Sequence, residues 1–123
     1  MKKFDLEDRF IDFAIRISKV IDEIDNSRLG NHIAGQLIRS GSSPALNYGE
    51  AQSAESRKDF IHKLKIVLKE LKESRTCLKI IERRPLILNT KKLTSIMKEN
   101  EELIAIIFKS IETAKSNMQK YNN

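Results

Sequence analysis

The sequence predicts an all-α protein, an up-and-down antiparallel four-helix bundle in which residues 1–123 form one domain. Apolar residues recur at three- and four-residue spacing along four successive segments, the period of an amphipathic helix. Only four Gly and two Pro occur in 123 residues, too few to punctuate a many-stranded sheet. The connections between segments are short, which makes neighbouring helices antiparallel. A chain of this length can bury a real core without disulfides or metals.

The first helix is predicted from about Asp5 to Ile24, with Leu6, Phe10, Phe13, Ala14, Ile17, Ile21 and Ile24 on one face. Asp5 is placed to cap its first turn, Glu7 and Asp8 complement the positive end of the dipole, and Asp25-Asn26-Ser27 ends it. The second segment, Leu29 to Ser53, opens a stripe at Ile33, Leu37 and Ile38 and then meets Ser40-Gly41-Ser42-Ser43-Pro44. Local propensity favours a break there, with Ser43 capping a new helix that begins at Pro44; a single helix kinked at Pro44 is the alternative. Ala34, Gly35, Gly41, Ala45 and Gly49 are small enough to let helices approach closely. The third helix opens at Ser56-Arg57-Lys58-Asp59, a capping-box pattern with Asp in the last place. It carries Ile61, Leu64, Leu68, Leu71 and Leu78 in a four-three repeat and ends near Arg84, because Pro85 disfavours helix before it. The fourth starts after Asn89-Thr90, runs to about Lys120 on the stripe Leu93, Met97, Ile104, Ile107, Ile111, Ala114 and Met118, and leaves Tyr121-Asn122-Asn123 as a fraying tail.

Composition narrows the classes of function. The single cysteine, Cys77, precludes an internal disulfide and suits a reducing compartment. No apolar run approaches the roughly 18 residues that span a bilayer, and the N-terminus turns acidic at once, so the expectation is a cytoplasmic protein with no membrane partner. Chemistry-bearing motifs are nearly absent: there is no glycine-rich phosphate loop, nucleophile elbow or Cys/His cluster. Asp59-Phe60-Ile61-His62 is one copy of the acid-x-x-His pattern with which bundles hold paired metals, but His32 has Leu29 where a second acid would stand. Ser95-Ile96-Met97-Lys98 matches Ser-x-x-Lys without its companion motifs. The expectation is a non-enzymatic protein with no catalytic residue, metal or cofactor, in which Cys77 is a packing residue.

Charge is more informative. The net +6 is unevenly spread: residues 1–26 carry five Lys/Arg against seven Asp/Glu, residues 27–56 balance, and residues 57–84 carry ten against four. At 100° per residue Lys58, Lys65, Lys69, Lys72, Lys79 and Arg83 fall in one stripe roughly 80° wide and roughly 37 Å long, with Thr76 on the same line. The acids of that helix, Asp59, Glu70, Glu73 and Glu82, project elsewhere. Like charges at 65/69 and 79/83 destabilise a helix by a few tenths of a kcal/mol per pair, a cost easier to understand if a polyanion meets the row. The alternative is a solvated face. With no Trp, and with Phe10, Phe13, Phe60 and Phe108 on or beside apolar stripes, Tyr48 and Tyr121 are too few for a base-stacking platform, so contact through phosphates and shape, with little sequence specificity, is expected.

Two places hold more apolar surface than a lone bundle requires, Leu86-Ile87-Leu88 in a connection and the run from Leu103 to Phe108 on the fourth helix. Each large side chain left in water forgoes roughly 1.5–3 kcal/mol of burial. A loop folded over the end of the bundle accounts for the first; a subunit interface of Leu86, Ile87, Leu88, Leu103, Ile106 and Phe108 accounts for both.

The stretch from Gln36 to Ala51, QLIRSGSSPALNYGEA, followed by Ser56-Arg57-Lys58-Asp59-Phe60, resembles the bacterial four-helix-bundle proteins encoded in intervening sequences of 23S ribosomal RNA genes, the S23 family. The likeness covers positions 36–78 well, the first helix more loosely and the fourth only in pattern. Gly41 and Ser42 stand where the family commonly has Ala, and Ala51 where it commonly has Gly. The resemblance implies a proline-kinked second helix and a homo-oligomer, best guessed as a pentamer. The accessory variability protein of diversity-generating retroelements is similar in fold, a basic pentamer that binds nucleic acid and works with a reverse transcriptase. Nucleic-acid binding is thus the leading expectation, and a scaffold docking an acidic protein partner is the runner-up. Arg39, Asn47 and Glu50 are the polar positions that match the family motif; the structural reading has Arg39 and Glu50 satisfying polar groups, or each other, between helices.

Overall fold

The structure, a computed structural model, describes residues 5–122, without the side chains of Tyr121 and Asn122. Four helices follow in order, α1 (Leu6–Asp22), α2 (Arg28–Gln52), α3 (Arg57–Arg83) and α4 (Leu93–Asn122), the last preceded by one 3-10 turn at Thr90–Lys92. No strand occurs among the described residues. Spatial order follows chain order: α2 packs on α1 and α3, α3 packs on α4, and a slighter α4–α1 seam closes the bundle. Arg9 donates to Glu99 at 2.9 and 2.5 Å and Arg16 to Ser95 at 2.8 Å, so α1 and α4 run antiparallel.

Local chemistry sets the helix starts. Backbone amides donate to side chains at the first three: Asp8 N–H to Asp5 at 3.3 Å, Gly30 N–H to Ser27 Oγ at 2.9 Å, and Asp59 N–H to Ser56 Oγ at 3.0 Å. Each satisfies one of the donors a helix start leaves orphaned. α2 is continuous through Pro44, so the break at Ser43 is not seen. Pro44 forfeits the bond to the Ser40 carbonyl, but it is buried, and packing offsets the loss. The first helix stops at Asp22, leaving Ile24 in the turn, while α4 persists to Asn122; Met1–Phe4 and Asn123 lie outside the described residues.

The core is wider than the predicted seams. On α3 the buried series is Ile61, Leu64, Val67, Glu70, Leu71, Ser74, Cys77, Leu78 and Ile81, whereas Leu68 is only half-buried. A helix with neighbours on both flanks buries a broader face than a two-stranded seam, and this explains the departure. Buried polar groups pair across α2 and α3: Ser74 Oγ donates to Ser40 Oγ at 2.9 Å.

The apolar surplus is mostly consumed internally. Leu86, Ile87 and Leu103 are all buried within the single chain, which corrects their assignment to a subunit interface. Leu86 and Ile87 fold over one end of the bundle, where Asp25 N–H donates to the Leu86 carbonyl at 2.9 Å and Leu86 N–H to that of Ile81 at 2.9 Å. Leu88 and Phe108 are exposed and Ile106 is half-buried. Residues 106 and 108 stand about 200° apart on a helix and cannot share one flat interface.

Candidate nucleic-acid interface

Lys58, Lys65, Lys69, Lys72, Lys79 and Arg83 are all exposed along the outer side of α3. None of the six forms an ion pair among the described residues. Cations elsewhere do: Arg9 with Glu99, Arg39 with Glu70, Lys63 with Glu50 at 3.8 Å, Arg75 with Glu101 at 3.5 Å, and Lys92 with Glu23 at 3.0 Å. The contrast has a geometric cause. Glu70 and Glu73 turn toward α2, where both accept from Arg39, the former at 2.6 Å. Glu82 is exposed with no ion pair among the described residues, and it lies outside the 80° stripe. The row is therefore a positive field that its own helix does not neutralise.

The two ends of the row are concave. Lys58, Ile61, His62 and Lys65 of α3 line a cleft of about 310 Å³ with Lys115 and Met118 of α4. Thr76, Lys79, Ile80, Arg83 and Arg84 line another of about 360 Å³. At 1.5 Å rise per residue their centres lie about 29 Å apart along α3. Lys115 and Arg84 thus join the basic surface although sequence reasoning did not single them out. Arg84 follows Arg83 and was legible as a cation beyond the stripe; Lys115 needed the α3–α4 register, which no local pattern reveals.

The family-motif positions are structural in their contacts. Arg39 braces α2 against α3 as described, and the hydrogen bond to Glu70 raises its pKa further above an already high value. Asn47 Nδ2 donates to the Ser43 carbonyl and hydroxyl at 3.0 and 2.8 Å, stiffening the helix beside Pro44. Glu50 pairs with Lys63 rather than with Arg39. Tyr48 is half-buried, its ring centroid 5.1 Å from that of Phe10 in a tilted pair. Cys77 is buried, and burial pushes its thiol up. His62 opens into the lysine cleft, and no group of three His, Cys, Asp or Glu is placed to hold a metal among the described residues.

Fold and surface together define a small antiparallel helical bundle distinguished by an unpaired basic face. The chain belongs to the 23S rRNA-intervening sequence protein family, whose sequence pattern matches residues 2–109. It is similar to a crystal structure from Bacteroides thetaiotaomicron, described as a protein of unknown function from the S23 ribosomal protein family. The two share 31% identity over 87% of this chain and 98% of that one, with a TM-score of 0.79. No curated protein matches significantly.

Proposed function

We propose that this protein is a non-enzymatic, self-associating nucleic-acid-binding protein that holds RNA or DNA by its phosphates with little sequence preference. The observation that carries the reading is the row of six exposed cations, unpaired among the described residues and closed at each end by a basic cleft. Self-association is supported by the outer face of α1 and α2, where Ile11, Ile15, Ile38 and Leu46 are exposed. Gly35 and Gly49 lie on that side with nothing within 4 Å of where a Cβ would stand. Each glycine costs a helix about 1 kcal/mol relative to Ala, and no contact inside the subunit requires it. A second copy packing there would use the small residues for close approach; the family likeness makes five subunits the best single number.

The test is titration of labelled RNA and duplex DNA at several salt concentrations, with the triple variant Lys65→Gln, Lys69→Gln, Lys72→Gln beside the parent. The parent's affinity should fall steeply with salt, and the variant should bind every sequence more weakly with a salt slope flatter by about 0.9 per lost duplex contact. Light scattering should give a mass several times the 14.2 kDa of one chain, reduced by Ile15→Glu. If neither nucleic acid binds, the reading fails in favour of a scaffold for an acidic protein partner.

A further inference from the structure

We infer that Phe108 is a stacking platform for an unpaired nucleobase, so that the basic face prefers single-stranded or looped nucleic acid to duplex; this rests on the nucleic-acid reading above. Phe108 is 55% exposed, unlike Phe10 and Phe13, which are fully buried. The register between α3 and α4 fixes where it stands. Arg75 reaches Glu101, and Lys115 lines one cleft with Ile61 and Lys65. Positions 101, 108 and 115 are successive heptad places on α4, and 75, 68 and 61 are their counterparts on antiparallel α3. Positions seven apart differ by only about 20° around a helix. Phe108 therefore stands on the edge of α4 that borders α3, level with Leu68, midway between the Arg75–Glu101 pair and the Lys115 cleft.

Leu68 is half-buried and packs against the core, so the α3 surface level with the ring is apolar. Lys65 and Lys72, three residues before and four after it, are exposed one turn to either side, and Lys69 is exposed beyond them. The outcome is one exposed aromatic ring set beside a row of cations. Acids on this edge of α4 are Glu101, paired with Arg75, and exposed Glu112, one turn from Phe108. They keep phosphates on the α3 side and leave the α4 side to a neutral ring. A duplex keeps its bases stacked inside and has no face to offer the Phe108 ring, whereas a single strand crossing the row does. Base–aromatic stacking tolerates any base, consistent with low sequence preference.

The test compares intact parent, F108L, F108W and the triple lysine variant against a single-stranded RNA and a duplex RNA of equal length. F108L keeps apolar area but removes the π-face; it should weaken single-strand binding about tenfold and leave duplex binding unchanged. F108W should restore it. Since the chain has no Trp, the introduced indole is a sole reporter whose emission should be quenched by the single strand and not by the duplex. Should the lysine variant weaken both ligands while F108L weakens neither, or both alike, the stacking inference is overturned and the phosphate reading stands. Should the parent bind neither ligand, the underlying reading falls first. If F108L lowers the assembly mass by light scattering, Phe108 is a subunit contact and the inference is likewise overturned.

Discussion

Replacing Gly41 tests the close approach of α1 and α2. A Cβ at position 41 would lie 2.7 Å from Ile17 Cγ2, 3.0 Å from Cγ1 and 3.1 Å from Cβ. Ile17 is fully buried and branched at Cβ, so it has little freedom to turn away. Gly41→Ala gains about 1 kcal/mol of helix propensity, but it overpacks the α1–α2 seam at a cost of about 1–3 kcal/mol. The net expectation is a loss of up to about 2 kcal/mol, several degrees in melting temperature for a domain this size. The sharper measurement is a cycle with Ile17→Ala, which alone costs about 2–5 kcal/mol but removes Cγ2 and Cγ1, the two nearest atoms, and leaves Cβ at 3.1 Å. In that background Gly41→Ala should be markedly less destabilising, or stabilise by up to about 1 kcal/mol where the backbone yields to the remaining Cβ contact. Urea unfolding of the four chains reads the coupling directly. If Gly41→Ala is neutral or stabilising in the parent and its effect does not change with Ile17→Ala, the close approach of α1 and α2 is wrong.

Two further predictions concern buried polar groups. Cys77 should label far more slowly in the folded protein than in urea at pH 8, because the thiolate is the reacting form and burial holds the folded pKa up. The unfolded chain then releases that proton from about pH 8.5 while the folded one keeps it, so stability should decline as pH rises above that value. Cys77→Ala should flatten the decline; equal labelling rates in the two states would refute the assignment. Asn100 is fully buried, with Nδ2 donating to the Leu71 carbonyl at 3.1 Å and Oδ1 without a partner among the described residues. Asn100→Leu gives up one bond worth about 1 kcal/mol but removes an orphan acceptor costing about 1–3 kcal/mol, so thermal unfolding should show a stabilised protein. A destabilised variant would mean that Oδ1 is satisfied in solution.

The helices were legible because their signals are local. Ser56, Asp5 and the spaced apolar residues act within a turn or two of themselves, and Pro85 bounds α3 through the residue before it. The continuity of α2 was not legible from propensity, since what holds Ser40-Gly41-Ser42-Ser43-Pro44 in one helix is tertiary. Gly41 fits Ile17, Ser40 meets Ser74, and Pro44 is buried. Leu86 and Ile87 misled for the same reason. An apolar connection reads as sticky surface until the bundle end that it covers is known. The basic row was readable from one helix and Phe108 as surplus apolar surface from its own, but the place of Phe108 beside the row was not, because it depends on the register of α4 against α3.

One partition of charge underlies both the bundle and its surface. The cations of α3 that face its neighbours take acids from other helices, Lys63 from α2 and Arg75 from α4, while its own Glu70 and Glu73 are committed to Arg39 of α2. These flank pairs orient α3 between α2 and α4. They also remove acids from the outer face, where every charged residue in the stripe is a cation. Had Glu73 projected outward, i,i+4 pairing with Lys69 would have screened the row and left Arg39 with one carboxylate fewer. The arrangement that holds the second and third helices together is thus the same one that leaves the third helix open to an anionic partner.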